Sequence, residues 1–135
     1  MIQPPSGPRT AAQMVADARS RVESLTPEQV ADELQGGALL VDLRESEERS
    51  ASGAIEGAVH APRGMLEFWA DPTSPYHRAE FDPSRRVILH CASGGRSALA
   101  ADLLKQMGYR DVAHLEGGIK AWQESGRDTQ APPTS

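Results

Sequence analysis

The chain has 135 residues, which is enough for one compact domain and too few for two of ordinary size. With 39% hydrophobic and 24% charged residues it has the composition of a folded globular domain, which excludes a disordered polymer or a fibre. A formal net charge of -5, without a dense basic stretch, argues against nucleic acid as a partner.

Membrane and secretory signals are missing from the sequence. The longest purely apolar run, residues 38–41, is far shorter than the roughly 20 residues that cross a bilayer. Residues 1–10 contain three prolines and lack the apolar core of a signal peptide. We therefore expect a cytoplasmic protein that does not contact membranes.

Two helix signals lie in the first part of the chain. Thr10 is a suitable cap for a helix over residues 11–21, which we assign to an accessory N-terminal extension, residues 1–21. Thr26 followed by Pro27 predicts a second helix, because threonine caps helices and proline fits their first turn. Two consecutive glycines, at positions 36 and 37, end it.

Apolar segments predict the strands. Residues 38–43 and 87–90 are almost entirely apolar, as in strands buried on both faces, and shorter strands are predicted at residues 58–60 and 112–115. Further helices are predicted over residues 44–49, 97–107 and 119–124. Strands that alternate with helices favour an α/β fold with a parallel sheet covered on both faces, in which ligands bind at the carboxyl ends of the strands.

Two segments fall outside this alternating pattern. Residues 63–82 hold four of the six aromatic residues of the chain and are interpreted as an insertion. Within it, Phe68 and Trp69 are expected either to pack as a satellite of the core or to cover the site as a lid. Residues 126–135 are polar and are predicted to form a flexible tail.

The segment with the most distinctive chemistry joins the strand at residues 87–90 to the following helix; it reads Cys91, Ala92, Ser93, Gly94, Gly95, Arg96 and Ser97. The two glycines let the backbone turn so that successive amide N–H groups point inward, forming an anion-binding nest at the helix amino terminus. The helix dipole, these amides and the Arg96 guanidinium all favour the thiolate form of Cys91. We therefore predict that Cys91 is a nucleophile at neutral pH.

A lone cysteine also has a plainer interpretation, as a small buried apolar residue. The glycine pair and Arg96 favour the catalytic interpretation over that one. A single cysteine excludes an internal disulfide, and the four histidines lack the spacing of a zinc site, so we predict no metal and no cofactor. The loop also matches neither of the glycine-rich patterns that bind nucleotides.

Three motifs, in this order along the chain, resemble the rhodanese (sulfurtransferase) superfamily. Cys91, Gly94 and Arg96 match the active-site loop of that family, residues 39–62 resemble its first signature, and residues 115–122 resemble its last. The resemblance implies a single rhodanese-like domain over residues 22–125. Its expected architecture is three α/β/α layers around a five-stranded, mainly parallel sheet.

The resemblance also implies a sulfurtransferase mechanism. The Cys91 thiolate attacks the outer sulfur of a small anionic donor such as thiosulfate, holds that sulfur as a persulfide, and passes it to a thiol, cyanide or protein acceptor. The loop amides stabilise the anionic sulfur, and Arg96 steers the donor. The expected substrate-binding residues are Ala92, Ser93, Gly94, Gly95, Arg96 and Ser97.

Other polar residues are expected near the same edge of the sheet. Asp42 and Arg44 end a buried strand and are expected to pair with each other or to brace the neighbouring backbone and Glu48. Direct contact with the substrate is the less favoured alternative. Arg63 is either a second positive charge for the pocket or a solvated surface arginine. His90 points away from Cys91 in an extended strand and is expected to be a hydrogen-bonded core residue.

Two other functions stay open at this point. A sulfur carrier or regulatory binding module would use the same persulfide without turnover. A phosphatase or arsenate reductase would use a related loop, but normally with five residues between the cysteine and the arginine, where this chain has four. The donor, the acceptor and the oligomeric state are not specified by the sequence.

Overall fold

The computed structural model describes residues 7–133, so residues 1–6 of the extension and 134–135 of the tail lie outside it. The helices are α1 (Ala11–Arg21), α2 (Pro27–Gln35), α3 (Ser46–Ser52), α4 (Leu66–Ala70), α5 (Gly95–Gln106) and α6 (Gly118–Glu124). The strands are β1 (Glu23–Leu25), β2 (Leu39–Asp42), β3 (Val59–His60), β4 (Val87–His90) and β5 (Val112–Leu115).

The strands form one five-stranded sheet in the order β1-β5-β4-β2-β3, and every pair is parallel. This confirms the predicted α/β fold. Strand β4 lies at the centre, with Asp42 of β2 beside His90 and Leu89 beside His114 of β5. The carboxyl ends of β2, β4 and β5 therefore meet at one edge, directly before the segment that begins with Cys91.

Each face of the sheet has its own apolar cluster. Alternate residues of the central strands, such as Val41 and Leu89, pack with α4 and α5 on one face. Their neighbours Leu40 and Ile88 pack on the other face with side chains of α2 and α6. Strands β2, β4 and β5 are buried at every residue, which agrees with the predicted burial on both faces of the strands within residues 38–43 and 87–90.

Local signals account for the first two helices. Thr10 and Thr26 cap α1 and α2. In both cases the backbone N–H of a glutamine three residues later donates to the threonine hydroxyl, and the glutamine side chain accepts from the threonine N–H, which forms a capping box. The predicted short helix at residues 44–49 begins later, at Ser46, because the Arg44 side chain folds back onto Asp42 and Glu48 reaches the amide of Glu45.

The aromatic insertion lies beside α5. It contains a short 3-10 turn (Arg63–Met65) and α4, and the hydroxyl of Tyr109, just after α5, donates to the carbonyl of Ala70 at 2.7 Å. Trp69 packs against the core with Arg78 stacked 3.6 Å from its ring centre, whereas Phe68 is 51% exposed. Trp69 therefore packs as a satellite of the core and Phe68 lies at the surface, while the lid stays a prediction.

The last described residues return to the domain. Gln130 forms two main-chain hydrogen bonds with Ala54, of 2.7 and 2.8 Å, and the indole of Trp122 donates to the carbonyl of Asp128. The segment that the sequence suggested as a tail therefore has defined contacts up to Gln130, while its flexibility stays a prediction. No helix within residues 7–133 has the length and apolar character needed to cross a bilayer.

Candidate active site

Cys91 directly follows β4 and precedes the amino terminus of α5, as the sequence predicts. Its sulfur accepts the backbone N–H of Gly94 at 3.2 Å and lies 3.7 Å from the hydroxyl of Ser97. The residue is only 1% exposed, so its sulfur is surrounded by the loop. A helix amino terminus and an inward amide both stabilise negative charge on that sulfur.

Glycine is required at two positions for this geometry. Gly94 has φ of +108°, and a Cβ there would lie 3.0 Å from the guanidinium of Arg19. Gly118 has φ of +62°, and a Cβ there would lie 2.5 Å from the carbonyl oxygen of Cys91. Because residue 118 has no Cβ, the chain can approach closely enough for the amide of Ile119 to donate to the Cys91 carbonyl at 2.9 Å. This hydrogen bond fixes the start of the loop against α6.

The loop arginine is paired with an acid. Both terminal nitrogens of Arg96 donate to the carboxylate of Glu48, each at 2.8 Å, in a bidentate arrangement. The hydrogen bonds from Arg96 hold the pKa of Glu48 at about 2 and raise the pKa of Arg96 itself. An anionic donor must therefore compete with Glu48 for this guanidinium.

Asp42 and Arg44 form the internal pair that the sequence predicts. Arg44 donates to the two carboxylate oxygens of Asp42 at 3.1 and 2.9 Å, and Arg49 adds a contact of 3.0 Å, all fully or nearly buried. Burial alone would raise the pKa of Asp42, but the hydrogen bonds from Arg44 and the charges around it lower it to about 2. Arg44 also donates to the carbonyl of Gly53, so the cluster braces the chain after α3.

His90 is buried, as expected, but it is not fully hydrogen-bonded. Its Nδ1 lies 3.4 Å from the carbonyl of Cys91, while its Nε2 has no hydrogen-bond partner within residues 7–133 and lies 3.7 Å from Asp42. Burial lowers the pKa of His90 despite the nearby carboxylate. The expectation of a satisfied histidine is therefore wrong for one of its two ring nitrogens.

The remaining predicted site residues differ in their proximity to the sulfur. Ser97 is fully buried beside Cys91, whereas Ser93 is exposed. Ala92 and Gly95 are partly buried parts of the loop backbone. Arg63 donates to Glu67 at 2.8 Å with about a third of its side chain exposed, which matches the description of a surface arginine.

Two residues close to the loop, Arg19 and His114, are not predicted as site residues from the sequence. Arg19 of α1 pairs with Glu116 at 3.0 Å directly beside Gly94, and His114 of β5 lies 2.9 Å from the Ser97 hydroxyl. Arg19 directly follows the buried Ala18 in α1, and the packing of α1 on α5 is what brings its side chain to the loop. His114 shares a face with Cys91 because it is paired in register with Leu89, two residues before Cys91, and the sequence gives no signal for that register.

An open cavity of about 770 Å³ lies at the carboxyl end of β3, apart from the loop. Its lining includes Arg49, His60, Trp69 and Arg78 but not Cys91. This cavity is therefore separate from the candidate active site, which is defined by the contacts of the Cys91 sulfur.

Comparisons with known proteins agree with this geometry. A family model of the rhodanese-like domain matches residues 26–125. A protein named sulfurtransferase from Allochromatium vinosum is 37% identical over 94 residues, which cover 70% of this chain and 79% of that protein.

Two solved structures are similar over most of the chain. One, from Rhodopseudomonas palustris, is described as a protein of unknown function and possible tyrosine phosphatase; it has a TM-score of 0.86 and 37% identity and covers 95% of this chain and 99% of that one. The other is a thiosulfate sulfurtransferase from Pseudomonas aeruginosa, with a TM-score of 0.73 and 27% identity. That match covers 92% of this chain but 23% of the Pseudomonas chain.

Proposed function

The chain belongs to the rhodanese-like domain family, and from that membership we propose that it transfers sulfane sulfur through a persulfide on Cys91. The observation that carries the proposal is the environment of the Cys91 sulfur. That sulfur lies at the amino terminus of α5, accepts the Gly94 amide at 3.2 Å and has one hydroxyl within reach. The backbone N–H groups of the loop carry no net charge. They can therefore stabilise an anionic sulfur that is first bound by Cys91 and later transferred to an acceptor.

In the first half of the cycle the Cys91 thiolate attacks the outer sulfur of thiosulfate. A sulfur–sulfur bond forms to Cys91, the sulfur–sulfur bond of thiosulfate breaks, and sulfite leaves with that electron pair. The extra sulfur remains on Cys91 as a persulfide, bound near the Gly94 amide. Arg96 contributes by attracting the anionic donor, once the donor's oxygens replace Glu48 at its guanidinium.

In the second half a thiophilic acceptor removes the sulfur. Cyanide attacks the outer sulfur of the persulfide, the bond to Cys91 breaks, and thiocyanate leaves while the Cys91 thiolate is restored. A thiol or a protein acceptor reacts at the same sulfur atom. Thiosulfate as donor is supported by the similarity to the thiosulfate sulfurtransferase of Pseudomonas aeruginosa and by the anionic preference of the loop.

The test is intact-protein mass spectrometry after incubation with thiosulfate, followed by addition of cyanide. We expect a gain of one sulfur atom that cyanide removes as thiocyanate, and no gain in a Cys91→Ser variant. Repeated turnover supports an enzyme, whereas one stoichiometric load that only a protein acceptor removes supports a carrier. Absence of any sulfur gain with thiosulfate or a persulfide donor would overturn the proposal.

The phosphatase alternative has one specific observation in its favour, the description given to the Rhodopseudomonas neighbour. Hydrolysis of an aryl phosphate by the wild-type protein, lost in Cys91→Ser, would replace sulfur transfer with phosphoryl chemistry. We expect negligible hydrolysis, because attack on phosphorus needs a general acid for the leaving oxygen and the loop at 91–97 contains no carboxylate.

A further inference from the structure

A chain of polar contacts runs from the Cys91 sulfur to solvent. The sulfur lies 3.7 Å from the Ser97 hydroxyl, and that oxygen lies 2.9 Å from Nδ1 of His114. On its other side, Nε2 of His114 lies 3.0 Å from the Ser24 hydroxyl and 3.5 Å from a carboxylate oxygen of Glu116. The first three residues are buried and the last two reach the surface, so the chain connects an enclosed sulfur with water.

The contacts of His114 indicate which nitrogen carries its proton. A lone pair on Nε2 would face the Glu116 carboxylate, whereas a proton there is attracted to it and can be donated to Ser24. The proton therefore resides on Nε2. This leaves Nδ1, at 2.9 Å, to accept the Ser97 hydroxyl proton in competition with the carbonyl of Gly94, which accepts from the same hydroxyl at 3.2 Å.

The charges around the ring keep it neutral at neutral pH. Burial lowers the pKa of His114, Glu116 acts in the opposite direction, and Arg19 of α1 lowers it further. Arg19 is itself paired with Glu116 at 3.0 Å, so it draws part of the negative charge away from the ring. A neutral ring with a free acceptor nitrogen is the state required of a proton acceptor.

We propose that His114 takes the thiol proton of Cys91 through the hydroxyl of Ser97, an inference that rests on the proposed role of Cys91 as the nucleophile. This transfer forms the thiolate that attacks the donor: the thiol proton passes to the Ser97 oxygen while the proton of Ser97 passes to Nδ1 of His114. The electron pair of the S–H bond stays on sulfur, Ser97 is unchanged, and His114 becomes an imidazolium facing Glu116. His114 acts through Ser97 and is a positioning residue that does not touch the donor.

The decisive variant is His114→Asn, because asparagine keeps an acceptor near the position of Nδ1 but cannot hold the proton. The measurement is the rate at which methyl methanethiosulfonate, a small neutral reagent, modifies Cys91 across a range of pH. We expect the wild-type rate to be nearly independent of pH around neutrality. In His114→Asn the rate should rise with hydroxide concentration and be about a hundredfold slower at neutral pH, which is the lower end of general-base effects.

Matched variants isolate the relay from general damage. His77→Asn makes the same substitution on the aromatic insertion, where the ring contacts the carbonyl of Phe81, and should leave the rate profile unchanged. Ser97→Ala removes the middle of the relay, so it should change the profile as His114→Asn does, and the double variant should be no slower than either. Ser97→Ala also carries the test if His114→Asn fails to fold.

The outcomes distinguish this inference from the proposed function. A reactive wild-type thiol whose rate and pH profile survive His114→Asn or Ser97→Ala would overturn the relay alone. Additive losses in the double variant would also overturn it, since the two residues would then act separately. A wild-type Cys91 that resists the reagent at every pH would contradict its role as nucleophile and with it the proposed function.

Discussion

Replacing Glu48 with glutamine should strengthen the binding of an anionic donor. Glutamine has nearly the same shape and can still accept the amide of Glu45 that Glu48 accepts at 3.0 Å, so the start of α3 is kept. What it loses is the charge that pairs with Arg96 at 2.8 Å through both terminal nitrogens. The guanidinium then becomes available to the donor.

The size of the effect follows from the exposure of the pair. The side chains of Arg96 and Glu48 are 37% and 35% exposed, so solvent screens their attraction and reduces what the pKa of about 2 for Glu48 would otherwise imply. Exposed pairs contribute up to about 1 kcal/mol. Removing that competition should lower the KM for thiosulfate roughly fivefold, since about 1.4 kcal/mol corresponds to tenfold.

The assay is the initial rate of thiocyanate formation over a range of thiosulfate concentrations. Glu47→Gln is the matched control, because it removes the same charge from the same helix at an exposed position. In an Arg96→Ala background, which should itself raise the KM, Glu48→Gln should have no further effect. A KM that is unchanged in Glu48→Gln, or that falls equally in Glu47→Gln or without Arg96, would refute the competition.

Two further predictions concern stability. The pKa of Asp42 is lowered from 3.8 to about 2 in the folded state, so the ionised carboxylate stabilises the fold above about pH 4 by on the order of 2 kcal/mol and loses that contribution as the pH falls to about 2. The Asp42→Asn variant should therefore be less stable at neutral pH, and its stability should decline less steeply in acid. Parallel profiles of stability against pH for the two proteins would contradict this. Trp69→Ala should lower the free energy of unfolding by about 2 kcal/mol, less than a fully buried tryptophan, without changing the rate of Cys91 modification. The exposed Phe68→Ala is its control, and a faster reaction of Cys91 in Trp69→Ala alone would restore the lid.

Where local signals were sufficient, the sequence predicted the structure closely. The capping threonines predict α1 and α2, and the almost entirely apolar runs predict β2 and β4, because each signal acts within a few residues. Strand β1 was missed. It has three residues, only one of them buried, and it exists because β5 offers it a parallel partner.

The same distinction applies to the site. The position of Cys91 before a helix, the turn at Gly94 and the pairing of Asp42 with Arg44 all depend on residues close in sequence. The partners of Arg96 and Ser97 could not be predicted in this way. Glu48 and His114 come from α3 and β5, and only the sheet order brings their side chains to the loop.

These distant partners change how the loop stabilises a negative sulfur. The sequence predicts that Arg96 supplies positive charge to the loop, but in the structure Arg96 is paired with Glu48. Arg19, which α1 brings from outside residues 26–125, is paired with Glu116. With both cations paired, stabilisation of the sulfur before a donor arrives falls on groups without a formal charge. These are the Gly94 amide and the amino terminus of α5, and the proton of Cys91 must then leave through Ser97, the one side-chain hydroxyl in contact with the sulfur among residues 7–133.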